Sequence, residues 1–261
     1  MTEQQIRFED GAAYERMMGV WSRSVGEIFL DWVAPQPGLR WIDIGCGNAA
    51  FTQLLCERCA PAQVDGIDPS PAQLDYARTR PGVRGARFHE GSAIALPFPD
   101  CSFDIAVMAL VLFFVPEPAK GVAEMARVTV PGGTIAAYLW DIPGGGLPIA
   151  PIYAEMRAMG MNPPMPPSAD ASRTERLQQL WRDAGLVAVE TKRIDVTRTF
   201  ADFDDYWTVS ASGAGPSQII AEMSPQDAAR LKAGVSARLP AAAGPLTHAA
   251  HANAVKGRVP G

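Results

Sequence analysis

Trp41-Ile42-Asp43-Ile44-Gly45-Cys46-Gly47-Asn48-Ala49-Ala50 carries the chain from an apolar strand through a glycine-rich exit into a helix. The strand pattern spans residues 39–44, and a helix is predicted over 49–59. Gly45 and Gly47 allow a tight bend and a close approach of backbone to a ligand. The free N–H groups that open the helix point at that ligand. The loop also satisfies the G-x-G-x-x-A form of the dinucleotide fingerprint, a weak signal when it stands alone. Asp43 tilts the choice. A carboxylate two residues before Gly45 repels a pyrophosphate but suits a cationic amino-acid moiety. A substantial helical pattern also precedes this strand, whereas dinucleotide folds often begin with it.

Outward from this stretch the pattern alternates. Residues 14–34 read as helix, with Val25, Ile28, Phe29 and Trp32 at helical spacing, and Pro35, Pro37 and Gly38 end it. Strands are predicted at 63–67, 86–90, 103–109 and 133–139, and helices at 71–79 and 117–128. Alternation of this kind argues for a parallel, doubly wound sheet. The second half breaks the rhythm at Gly144 to Gly146 and at Pro163 to Pro167. A helix at 174–184 and a strand at 186–196 follow. Residues 200–239 read as helical, broken near 213–216, and 247–259 as a last strand. A strand, an excursion and a returning strand suit an antiparallel sheet edge with an inserted cap. The expected fold is α/β, a Rossmann-like doubly wound seven-stranded sheet with the last strand antiparallel and a helical cap near 200–240. The expected divisions are a helical lid at 1–38, a binding core at 39–142, and a C-terminal part of the core sheet with the cap at 143–261.

Composition limits the function classes. The chain has 261 residues, 48% hydrophobic and 20% charged, enough for a sizeable core without disulfides. The net charge of −5, without a Lys/Arg cluster, disfavours a nucleic-acid partner. Cys56 and Cys59 form a C-x-x-C, but two further zinc ligands at local spacing are lacking, and the pair falls late in a helix. No metal is expected. The first ten residues are polar, and no run of 18 apolar residues occurs. A cytoplasmic location without stable membrane insertion is expected. A homodimer is left open.

A second motif is Gly66-Ile67-Asp68-Pro69-Ser70. Asp68 ends the second strand about 20 residues after the glycines, where a carboxylate accepts both ribose hydroxyls. The alternative for Asp68 is a helix N-cap ahead of Pro71. With these two motifs come Ala95-Leu96-Pro97-Phe98-Pro99-Asp100, Ser102-Phe103-Asp104, Arg127-Val128 and Pro131-Gly132-Gly133-Thr134. In this order and spacing the chain resembles the class I S-adenosylmethionine-dependent methyltransferases, and among them the ubiquinone/menaquinone-biosynthesis type. The resemblance covers about residues 14–142.

The resemblance implies S-adenosylmethionine at the strand C-terminal ends. Gly45, Cys46 and Gly47 would abut its methionine part, with Asp43 acting directly or through water. Asp68 and Pro69 would hold the ribose, Ser92 and Ala93 would flank the adenine, and Leu110 would offer backbone. Tyr14 and Trp21 would close over the ligand. Two departures stand out. Ala49 replaces the family's third glycine, a change to be tolerated at negative φ. Ser92 replaces the usual acidic residue at the adenine, a weaker acceptor that Glu90 could offset.

The acceptor pocket is expected to be lined by Met17, Met18, Phe113, Trp140, Tyr153, Met156, Phe203, Tyr206 and Trp207, thioethers and flat aromatics suited to a small apolar or aromatic molecule. Packing of cap onto core is the competing role for the same residues. His89, His248 and His251 are the only histidines, and none is a convincing general base. The catalytic residue is left unassigned. Two other functions fit parts of the pattern: a NAD(P)-dependent oxidoreductase, on the G-x-G-x-x-A match, and a non-catalytic protein that binds S-adenosylmethionine.

Overall fold

The computed structural model describes residues 18–213, 215–240 and 244–261. Its centre is β1 (Arg40–Ile44), where Trp41, Ile42 and Ile44 are fully buried. A strand covered on both faces reads as a near-continuous apolar run, and Asp43 is its one buried charge. α1 (Val20–Val33) precedes it, and α2 (Ala50–Cys59) follows it. Then come β2 (Gln63–Asp68), α3 (Pro71–Thr79), β3 (Arg87–Glu90), β4 (Phe103–Ala109), α4 (Pro118–Val128) and β5 (Thr129–Trp140). The second half holds α5 (Ala150–Ala158), α6 (Thr174–Asp183), β6 (Val187–Phe200), α7 (Phe203–Ala211), α8 (Pro216–Ala221), α9 (Pro225–Arg238) and β7 (Leu246–Arg258).

The sheet order is β3-β2-β1-β4-β5-β7-β6. β1 to β5 pair in parallel, and β7 runs antiparallel to both β5 and β6. The seven strands and the reversed last strand agree with the sequence reading, but β7 is an interior strand and β6 forms the edge. Crossovers leave β1 toward β2 and β4 toward β5 in opposite directions. Right-handed crossovers therefore put α2 and α4 on opposite faces. α1 packs beside α2, and α6 packs against α4. Between β1 and β4 the order reverses, which opens a crevice outside their C-terminal ends.

Ion pairs pin the far end of this crevice wall. Arg40 donates two side-chain hydrogen bonds and its backbone N–H to Asp104, at 2.7 to 3.1 Å, tying β1 to β4. Ser70 caps α3 by accepting from the Gln73 N–H, so Asp68 is left free of the capping role. α5 was not foreseen. Its Pro151 sits in the first turn, where a missing N–H costs nothing. The stretch read as one broken helix over 200–239 is three helices, with Asp202 and Ser224 as N-caps of the first and last. Among the described residues no helix is long and apolar enough to cross a membrane.

Candidate active site

The bend after β1 is built as the glycines require. Gly45 has φ +73° and Gly47 φ +51°. A Cβ on Gly45 would collide with the Val111 side chain, whereas one on Gly47 would meet only Gln73 Oε1, at 3.9 Å. Gly45 N and Cys46 N both donate to the Ile67 carbonyl, at 2.7 and 3.1 Å, locking the bend to β2. Ala49 does not meet the condition stated for it. Its φ is +62°, not negative, so its methyl is held in the left-handed region, buried against Ala77 and Val83.

Asp43 is 1% exposed. Its Oδ2 accepts from Thr52 Oγ1 at 2.6 Å, while Oδ1 has no partner among the described residues. Burial pushes its carboxyl up to about 7, against the pull of the Thr52 hydrogen bond, and Asp68 adds like-charge repulsion. An orphaned buried carboxylate oxygen is costly and calls for a partner. Asp68 accepts from Gly47 N and Ser70 N, each at 2.9 Å. Burial also raises its carboxyl, opposed by those two backbone bonds. Each Asp68 oxygen keeps lone-pair capacity for a further donor.

Both carboxylates open onto a cavity of about 1310 Å³ at the C-terminal ends of the strands. Nine of the eleven residues assigned above to cofactor binding line it: Asp43, Gly45, Cys46, Gly47, Asp68, Pro69, Ser92, Ala93 and Leu110. Leu110 has φ +62°, and its N–H donates to the Tyr138 carbonyl at 2.8 Å. A leucine held left-handed at a cavity wall is the kind of strain that collects at binding sites. Trp21 does not line the cavity; its ring is buried against Phe200 and His248. Tyr14 lies outside the described residues.

The expected acceptor lining is corrected. Met18, Phe113, Trp140, Tyr153, Met156 and Tyr206 are buried in the core, and none of them lines the cavity. Tyr206 packs on Phe200 and His248, with ring centroids 5.2 Å away in each case. Phe203 and Trp207 stand off the cavity in the same aromatic group, and Met17 lies outside the described residues. These aromatics join cap to core. The lining comes instead from Ser22, Phe51, Val111, Phe114, Val115 and Tyr138, together with the segment 162–167. That segment is Asn-Pro-Pro-Met-Pro-Pro. It carries no periodicity, and its proline density was the only signal available in the sequence. Ser168 anchors its end by donating to the Phe113 and Val115 carbonyls, at 3.0 and 2.8 Å.

All three histidines lie off the cavity. His89 Nε2 is 2.7 Å from Asp65, His248 Nε2 is 2.9 Å from the Pro148 carbonyl, and His251 Nε2 is 3.3 Å from Asp141. Burial lowers the pKa of His248. Ser92 is exposed, its hydroxyl accepting from Ile94 N at 3.4 Å, and Glu90 is outside the lining. Burial raises the Cys46 thiol strongly and Cys56 to about 11, so neither is a thiolate at neutral pH.

Residues 42–137 match the family described as Methyltransferase domain. A demethylmenaquinone methyltransferase of Deinococcus radiodurans is 36% identical over 110 residues, 41% of this chain and 46% of that protein. This chain spans about half the length of such curated relatives. The YcgJ protein of Bacillus subtilis superposes with TM-score 0.61 at 18% identity, over 91% of this chain and 98% of the other. Haemonchus contortus phosphoethanolamine N-methyltransferase 2, in complex with phosphomonomethylethanolamine and S-adenosylhomocysteine, gives TM-score 0.62 at 16% identity, over 99% and 59%. At these identities the structural likeness speaks for the fold.

Proposed function

We propose that this chain, whose residues 42–137 form a class I methyltransferase domain, transfers a methyl group from S-adenosylmethionine to a small apolar or aromatic acceptor. The observation that carries the reading is the orphaned Oδ1 of buried Asp43 beside the Gly45–Gly47 bend. An ammonium or sulfonium cation supplies the missing partner, and a pyrophosphate does not. Asp68, one strand over, has the acceptor capacity for two ribose hydroxyls. Ser92 and Ala93 lie beyond it at the end of β3, where an adenine would rest.

The cofactor, when bound, supplies an activated methyl group on a cationic sulfur. The protein positions the partners and shuts out water. Asp43 holds positive charge in a place with little competing solvent, Asp68 fixes the sugar, and Leu110 and Val111 close the wall across the strand reversal. The cavity exceeds the usual span of about 300–1000 Å³ for one small ligand, which leaves room for a second molecule beside a nucleoside. Its lining carries two carboxylates and no Lys or Arg, which suits an uncharged or cationic small acceptor rather than nucleic acid. Quinone-related relatives are in keeping with this class.

Calorimetry with S-adenosylmethionine against NAD tests the cofactor, and methyl-label release across a panel of phenols, hydroquinones and amines tests the transfer. Binding of NAD alone would overturn the reading; binding of S-adenosylmethionine with no label release from the panel would reduce it to a binding protein.

A further inference from the structure

Ser22 is a polar residue of the cavity that the cofactor reading does not absorb. It lies on α1, and its Oγ is buried without a hydrogen-bond partner among the described residues. A helical serine ordinarily satisfies itself by donating to the carbonyl one turn back. Ser24 does so, reaching the Val20 carbonyl at 3.0 Å, whereas Ser22 leaves that option unused. A buried hydroxyl without a partner is costly, so its persistence at a cavity wall points to a ligand.

Its place in the fold decides which ligand. Across the sheet, the loop after β3, the end of β2 and the end of β1 carry Ser92, Asp68 and Asp43 in that order, which accounts for a nucleoside from base to amino acid. β4 and β5 stand on the other side of the strand reversal. Tyr138, on β5, lines that second half, and its Oη lies 3.3 Å from where a Cβ on Gly26 would be. Gly26 is one helical turn from Ser22, on the same face of α1. Ser22 therefore stands at the cavity wall on the Tyr138 side, away from the base and sugar positions. Phe114, Val115 and Pro163 supply apolar walls to that half.

We propose that Ser22 is an acceptor-positioning residue, its hydroxyl bonding an oxygen substituent on a flat, otherwise apolar acceptor ring. The proposal rests on the methyltransferase reading above and adds the polar handle by which the second half selects its ligand. The hydroxyl orients the ring and takes no proton in the transfer.

The test is a two-by-two comparison on protein loaded with S-adenosylhomocysteine. The affinities of 1-naphthol and of naphthalene are measured by calorimetry for the natural chain, Ser22→Ala and Ser22→Thr. We expect the natural chain to prefer 1-naphthol by about tenfold, Ser22→Ala to lose the preference, and Ser22→Thr to retain it, with S-adenosylhomocysteine affinity unchanged in all three. A naphthol preference that survives Ser22→Ala, or no naphthol binding to the natural chain, overturns the proposal. A fall in S-adenosylhomocysteine affinity in Ser22→Ala reassigns the hydroxyl to the cofactor. Failure of the natural chain to bind S-adenosylhomocysteine at all is a separate result, and it overturns the underlying function.

Discussion

Asp43 sets two opposing pH dependences. Its carboxyl rests near 7 in the fold and near 3.8 in an ordinary setting. Between those values the folded chain holds a proton that the unfolded chain has released. Its contribution to stability is therefore greatest at low pH and falls as pH rises through the window, by roughly 4 kcal/mol at most. A cationic cofactor needs the ionised form, so its affinity should fall about tenfold per pH unit below about 7. Asp43→Asn should flatten both profiles, weaken cofactor binding at pH 8 by at least about tenfold, and raise the Tm of the empty protein at neutral pH. Thermal melts and calorimetry from pH 5 to 8 check all three. Ser92→Asp should raise cofactor affinity several-fold if the exposed hydroxyl is a weaker adenine partner than a carboxylate. Unchanged affinity by titration would count against that. Ala49→Gly is a balance. It relieves about 1 kcal/mol of left-handed strain. It loses about 0.8 kcal/mol of buried methyl. It adds about 0.4–1 kcal/mol of unfolded-state freedom. Urea unfolding should find it within about 1 kcal/mol of neutral.

Elements show where sequence reading reaches and where it stops. The parallel half was legible because β1 and β4 are apolar runs bounded by Gly, Pro or a cap, and shorter strands alternate with helices around them. The glycine bend and Asp68 were legible because their chemistry is local. The acceptor wall was not. Trp140, Tyr153 and Tyr206 have the composition of a pocket lining, but composition does not say which way an aromatic faces, and packing of cap on core claimed them. The sign of φ at Ala49 was hidden for a related reason, since a left-handed alanine is disfavoured locally and held by its neighbours. Contacts between elements also decide the behaviour of Gly26 on α1. A Cβ there would lie 2.8 Å from Leu54 Cδ2 and 3.4 Å from Phe51 Cδ2. Alanine gains about 1 kcal/mol of helix propensity. It should lose about 1–3 kcal/mol by crowding α2. Gly26→Ala is thus expected to destabilise on balance by about 1 kcal/mol in urea unfolding, against the direction that propensity alone gives.

At the scale of the whole molecule, the cavity is shared between the parallel half, which brings Asp43 and Asp68, and the later half, which brings the 162–167 segment. The prolines of that segment are stiff and lose little freedom on ordering. Replacing Pro163 and Pro164 together by glycine should raise the acceptor KM by about tenfold or more and lower Tm by roughly a few degrees, while cofactor Kd stays close to its natural value. Steady-state kinetics with an acceptor from the label-release panel, beside calorimetry, would check this; a parallel loss of cofactor affinity would show that the segment serves both ligands.

The interior position of β7 reaches beyond the finished molecule. A ribosome releases β6 before β7, yet β6 touches the sheet only through β7. For the time it takes to translate some fifty residues, a fourteen-residue strand waits with both flanks bare. The intervening helices α7 to α9 emerge in that interval and are the nearest shelter the nascent chain can offer. In that interval the strand can recruit a neighbouring polypeptide, a hazard that ends on one flank when β7 pairs with it.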